Sequence, residues 1–245
     1  MELSKREIIT SAWGHTKDNL SLLIMITVIY LLLIITLFQV FTIMSPYIAE
    51  NLISNNMIQM IAEPNVSWQQ IIFIIAAIMF ITGINLGFIQ ICINILQDKD
   101  ANSMQLFNSF HILLTYAVAT FYYIIAHILI AIPGILILYI SLKLNMNDAF
   151  YYIGIFSAIF PLIYVSLRLQ FYIYFLIDQE HGIIESFKKS IYISKGNVYQ
   201  LLILGIFLSL IIQISLIPYF LGLIISLPYS KMATTYLYIQ LKDNR

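Results

Sequence analysis

Charge is what this sequence has least of. Of its 245 residues 10% are Asp, Glu, Lys or Arg and 61% are hydrophobic, with a mean hydropathy of +0.91. Soluble domains usually carry about 25% charged and about 45–50% apolar residues, so these few charges cannot cover a globule of this size. That excludes a water-soluble enzyme, a disordered chain and a nucleic-acid-binding domain, and leaves an integral membrane protein. Net charge is zero, twelve basic against twelve acidic, so only the placement of charge is informative. The single cysteine, Cys92, sits in an apolar run; it excludes an intramolecular disulfide and reads as a small hydrophobe.

Recognisable chemistry is equally scarce. There is no phosphate-cradling Gly loop, no His-Glu-x-x-His pattern and no Gly-x-Ser-x-Gly elbow. His15 and His181 make no metal spacing with cysteine or carboxylate. No Asp or Glu interrupts the long apolar runs, so proton- or sodium-coupled transport lacks its usual groups. The expectation is a protein without catalytic residues, metal or cofactor.

What is present is a series of apolar runs. A helix needs about 20 apolar residues to cross about 30 Å of hydrocarbon. Six runs qualify: 20–44, 71–96, 111–142, 149–177, 198–217 and 219–241. The first is too long for a signal-peptide core and reads as a retained helix. Runs this long and unalternating are not barrel strands. Pro133-Gly134, Pro161 and Pro228 fall within runs and are expected to kink them. Ser67-Trp-Gln-Gln70 is a capping box opening the second run, with Trp68 at the interface, and Asp148 is positioned to cap the fourth. Ser45-Pro46 is expected to start a short amphipathic helix in the first outer loop.

Lys and Arg fix the expected orientation. With the N-terminus inside, the inner segments carry Lys5, Arg6, Lys17, Lys99, Lys188, Lys189, Lys195, Lys242 and Arg245, while the outer ones carry only Lys143. The fold class is therefore all-α: a polytopic membrane protein in one domain over 1–245, with six helices in three hairpins and both termini cytoplasmic.

Each hairpin has an inner lead-in. Thr16-Lys17-Asp18-Asn19 enters the first span as Ser194-Lys195-Gly196-Asn197 enters the fifth, and each follows an amphipathic stretch. In the first, Ser4-Lys-Arg-Glu7 is a capping box, and Ile8, Ile9, Ala12, Trp13 and Thr16 recur at helical spacing. In the last, Ile184, Phe187 and Ile191 share a face opposite the pair Glu185–Lys189. Such helices lie at the interface, apolar side down and cations toward anionic headgroups; they read first as elbows steering the chain into the next span, with a lipid-binding collar as the alternative. The middle lead-in, Gln105-Leu-Phe-Asn-Ser-Phe110, resembles them weakly.

Two cations fall inside apolar runs, Arg168 and Lys231. Tyr164 and Tyr172 lie four residues either side of Arg168, on the same face, and can offer rings and hydroxyls to the guanidinium. Snorkelling to the inner interface without a site is the first reading of both cations; contact with an anionic lipid, its phosphate held by Arg168 and Lys231 with Tyr164 and Tyr172, is the alternative. In the second span Gly83, Gly87, Gln90 and Asn94 recur at helical spacing, a small-residue seam continued by amides. That pattern suits helix packing first and a substrate path second. His127 lies mid-span and is expected to hydrogen-bond a neighbouring helix rather than serve a relay.

The last half also carries a run of motifs: Ile132-Pro-Gly-Ile135, Leu167-Arg168, Tyr174-Phe-Leu-Ile-Asp178, Gly182-Ile-Ile-Glu-Ser-Phe-Lys-Lys-Ser190, Ser194-Lys-Gly-Asn197 and Tyr236-Leu-Tyr238. Over residues 130–240 this resembles bacterial inner-membrane proteins related to the membrane domain of some glycerophosphoryl diester phosphodiesterases, and short enterobacterial inner-membrane proteins of similar length. In the larger enzymes the phosphodiesterase chemistry belongs to a separate soluble domain. The resemblance implies a six-helix bacterial inner-membrane module without catalysis. The functional expectation is a non-enzymatic protein contacting anionic lipid, in envelope upkeep or as a partner subunit. A small permease or lipid-translocating protein is the alternative. The sequence names no protein partner and no oligomeric state.

Overall fold

The structure, a computed structural model, describes residues 5–44, 67–144, 146–178, 181–217 and 221–244. The expected helix at Ser45-Pro46, the capping serine Ser4 and the break at Pro218 lie outside the described residues. Among those described there is no strand. The helices are α1 (Lys5–Asp18), α2 (Leu20–Met44), α3 (Trp68–Leu96), α4 (Leu113–Lys143), α5 (Asp148–Leu169), α6 (Tyr172–Asp178), α7 (Ile183–Ser194), α8 (Val198–Ser215) and α9 (Leu223–Asp243). A 3-10 segment, Ser103–Ile112, runs directly into α4.

Five described stretches are long and apolar enough to cross a membrane: Leu20–Ile43, Trp68–Leu96, Ser103–Lys143, Asp148–Asp178 and Val198–Ser215. The protein is a helical membrane protein. The sixth run becomes α9, more polar than the others because Pro228, Lys231 and several hydroxyl residues dilute its apolar side chains.

Local chemistry sets the boundaries. Ser67 opens α3 through a complete capping box: the Gln70 N–H donates to Ser67 Oγ at 3.3 Å, and the Ser67 N–H to Gln70 Oε1 at 2.7 Å. At α5 the cap is Asn147, which accepts from the Ala149 N–H at 3.4 Å; Asp148, expected in that role, is the first helical residue. Pro133, Pro161 and Pro228 all lie inside continuous helices. The fourth run is instead interrupted at Gln170–Phe171, where neither residue is proline or glycine.

The chain divides into two compact units, Thr16–Leu113 and Met1–His15 with Leu114–Arg245. In the first, α2 packs on α3 and the 3-10 segment packs on both. A Cβ on Gly87 would sit 2.1 Å from the backbone oxygen of Leu106, and one on Gly83 2.6 Å from the Phe110 ring. These glycines therefore let the segment lie against the helix. Past them, Gln90 Nε2 donates to Asn94 Oδ1 at 3.0 Å, Asn94 Nδ2 to Gln105 Oε1 at 2.9 Å, and Gln105 Nε2 to the Asp100 carbonyl at 2.9 Å.

In the second unit α7 packs on α5, α6 and α9, and α8 packs on α5 and α9. Helix α4 meets α5 where Gly134 faces Ala158 and Gly154 faces Leu138. Helix α6 is tied to α9 by Tyr174 Oη donating to Thr234 Oγ1 at 2.9 Å, and by Asp178. The Asp178 carboxylate accepts from Tyr238 Oη at 3.0 Å and pairs with Lys242 Nζ at 2.6 Å. Trp13 and His15 of α1 set their rings against Tyr229 and Tyr236 of α9 at 5.9 and 6.2 Å.

The two amphipathic lead-ins share the positions of their buried residues. Under a constant shift of 178, the separation of Asn19 and Asn197, the buried Ile8, Ala12 and Thr16 of α1 fall on the buried Ser186, Ser190 and Ser194 of α7. Asn19 and Asn197 each accept the first backbone bond of the following helix, from Leu23 and Leu201 at 3.1 and 2.9 Å. The correspondence continues into α2 and α8, where Leu23 and Ile26 match Leu201 and Leu204, all buried. Gly196, at φ 84°, makes the left-handed turn that α7 needs before α8.

Candidate functional site: a groove at Arg168

The break at Gln170–Phe171 frees backbone groups that α7 then satisfies. Ser190 Oγ donates to the Arg168 carbonyl at 2.9 Å and accepts from the Phe171 N–H at 3.1 Å. Ser194 Oγ lies 3.1 Å from the same carbonyl and 2.8 Å from that of Ser190, sharing its proton between them. In a protein interior such groups must be paired. Two serines one turn apart on α7 thus let a span end and restart beside a charged residue.

The Arg168 side chain is half-buried, with its guanidinium carbon 5.9 Å from the centre of the Tyr164 ring. Among the described residues no carboxylate forms an ion pair with it. It lines a groove of about 460 Å³ walled by α4 (Tyr122, Tyr123, Ala126, Ile130), α5 (Tyr164, Val165, Arg168, Leu169) and α7 (Phe187, Ile191). This volume lies within the range of about 300–1,000 Å³ typical of small-molecule sites. The lining is otherwise apolar or aromatic, so it can take a hydrocarbon chain while the guanidinium takes an anionic oxygen.

The remaining expected site residues lie elsewhere. Tyr172, expected on the Arg168 face, is not on the same helix, because α5 ends before it. It is buried, its ring stacked on Tyr116 and Tyr123, with Oη 3.4 Å from Thr120 Oγ1. Lys231 is not among the residues lining the groove; its carbonyl accepts from the Thr235 hydroxyl at 2.7 Å within α9. Gly83 and Gly87 meet the 3-10 segment, Asn94 bonds to its Gln105, and Gln90 bonds to Asn94 within α3. Glu185 pairs with Lys189 at 3.3 Å and with His181 at 3.7 Å.

His127 Nδ1 lies 2.9 Å from the Tyr123 carbonyl and Nε2 lies 2.9 Å from Ser166 Oγ. A carbonyl only accepts, so Nδ1 carries the proton and Nε2 accepts from Ser166. The partner residue Ser166 had no signal in the sequence. Nor did the stripe Tyr116, Thr120, Tyr123 and His127, although its 4-3-4 spacing places all four on one face of α4. Among the described residues no cluster of His, Cys, Asp and Glu could hold a metal ion.

No protein-family model, curated protein or solved structure matches this chain. The resemblance over residues 130–240 therefore rests on its motifs alone.

Proposed function

We propose that this is a multi-pass protein of the bacterial inner membrane that holds an anionic phospholipid in the groove at Arg168. The groove carries this reading: it joins one buried-edge cation to apolar walls on three helices, of which α4 and α5 belong to candidate membrane spans. A guanidinium binds phosphate oxygens through paired donors, and the low-dielectric surroundings strengthen that contact. In the proposed topology α9 is a sixth span, both termini are cytoplasmic and α1 and α7 lie in the inner interface, as the excess of inner Lys and Arg supports. The arrangement is that of the six-helix modules to which the motifs point, serving envelope upkeep or a partner complex.

The lipid reading is favoured over a permease path along α3, because the Gly83–Asn94 face is filled by Leu106, Phe110 and Gln105. Native mass spectrometry of gently purified protein tests it. Wild type should retain phosphatidylglycerol that Arg168→Gln loses, and equal retention would count against the site. Reporter fusions at each terminus test the topology; an outside signal from either would contradict it.

A further inference from the structure

The groove at Arg168 has a counterpart. A second groove, of about 420 Å³, lies between α1 and the hairpin α8–α9, lined by Ile9, Trp13, Ile211, Ile225 and Tyr229 among others. Shifting α1 by 178 residues places Ile9 on Phe187 and Trp13 on Ile191, the two α7 residues that line the first groove. Two positions of this repeated lead-in helix thus line both grooves, and Thr10 is added in the second. Each also lies against the hairpin before that helix in chain order, with α1 taking the last: α7 on α4–α5, α1 on α8–α9. On the first hairpin, Leu106 and Phe110 of the 3-10 segment lie against Gly87 and Gly83.

We propose that the groove beneath α1 is a second phospholipid site, equivalent to the first through this duplication. Its walls are almost wholly apolar, and α8 belongs to a candidate span, so the hydrocarbon chain of a lipid is the occupant that matches them. The exposed face of α1 carries Arg6, Thr10, Trp13 and Lys17 in a 4-3-4 spacing, placing a cation one turn either side of the two groove residues. Cations and tryptophan together are the side chains that meet anionic headgroups at an interface. The equivalent face of α7 carries Ile184, Lys188, Ile191 and Lys195, all exposed.

The inference rests on reading the Arg168 groove as a phospholipid site, and the test separates the two. Purified wild-type protein is mixed with phosphatidylglycerol of one acyl composition, and bound lipids are counted by native mass spectrometry. Two tightly held molecules per chain are expected. Ile225→Trp, whose bulk enters the second groove from its exposed rim, should hold one; Arg168→Gln should hold one; the combination should hold none. Thr10→Trp fills the same groove from α1 and replaces Ile225→Trp if that variant does not fold. Loss of a lipid in Arg168→Gln but in neither filled variant overturns the second site and leaves the first. Loss in the filled variants but not in Arg168→Gln overturns the first. A wild-type count of one, abolished by Arg168→Gln, also overturns the second site.

Discussion

The hydroxyl of Ser190 donates to the carbonyl oxygen of Arg168 at 2.9 Å, across 22 residues of sequence. Through this bond α7 holds the backbone of the residue that gives the groove its charge. Ser190 also takes the Phe171 N–H, so it caps both sides of the break. Ser190→Ala should leave a carbonyl and an N–H without this partner, costing about 1–3 kcal/mol of stability. Ser190→Thr should retain much of it. Thermal unfolding in detergent ranks the variants, and an unchanged midpoint for Ser190→Ala would show that the break is held by other means.

The two seam glycines should differ in sensitivity. A Cβ at Gly87 meets backbone, 2.1 Å from the Leu106 oxygen, whereas at Gly83 it meets the ring of Phe110, which can turn aside. Overpacking usually costs about 1–3 kcal/mol, and more where nothing yields. Gly87→Ala is therefore expected to lower the unfolding temperature more than Gly83→Ala. The reverse order would contradict the packing of the 3-10 segment.

Asp178 and Lys242 are unequally buried, at 6% and 25% side-chain exposure. Removing one member of a buried pair costs about 3–5 kcal/mol, because the other charge is stranded. Lys242→Met strands the more buried group and should cost more than Asp178→Asn. In the second case the ammonium can reach solvent and the amide still accepts from Tyr238. Denaturation of both variants reads the order directly; an equal or larger loss for Asp178→Asn would contradict it.

The bond between His127 and Ser166 is a tie between spans. Double-mutant cycles on hydrogen bonds between membrane helices average about 0.6 kcal/mol. A cycle with His127→Phe and Ser166→Ala should give a coupling of that order, within about 1.7 kcal/mol. Strict additivity would mean the two side chains do not meet.

Much of the helical plan was readable from hydropathy. The run 20–44 is α2 without adjustment, and the Ser67 box opens α3. The fourth run misled because its break contains neither proline nor glycine; it depends on hydroxyls more than 15 residues away, which no local pattern reveals. For the same reason Tyr172, four residues from Arg168 in sequence, belongs to a different helix. In α7 the apolar residues Ile184, Phe187 and Ile191 drew attention, yet the fully buried face is Ser186, Ser190 and Ser194. In a bilayer the apolar side can face lipid while small polar residues pack helix to helix, which inverts the usual reading of amphipathicity. The grooves need the tertiary arrangement of three helices, although Asn19 and Asn197 end two lead-ins of similar pattern in the sequence.

The most direct test of the account is the lipid preference conferred by Arg168. Binding of phosphatidylglycerol and of diacylglycerol, which has the same chains and no phosphate, to purified wild type and Arg168→Gln should be compared at one ionic strength. A charge-assisted contact of about 1.5–3 kcal/mol predicts that wild type favours the anionic lipid by roughly tenfold or more, since 1.4 kcal/mol is a factor of ten. Arg168→Gln should lose most of that preference. The same preference in both proteins would contradict the account and make Arg168 an interfacial anchor.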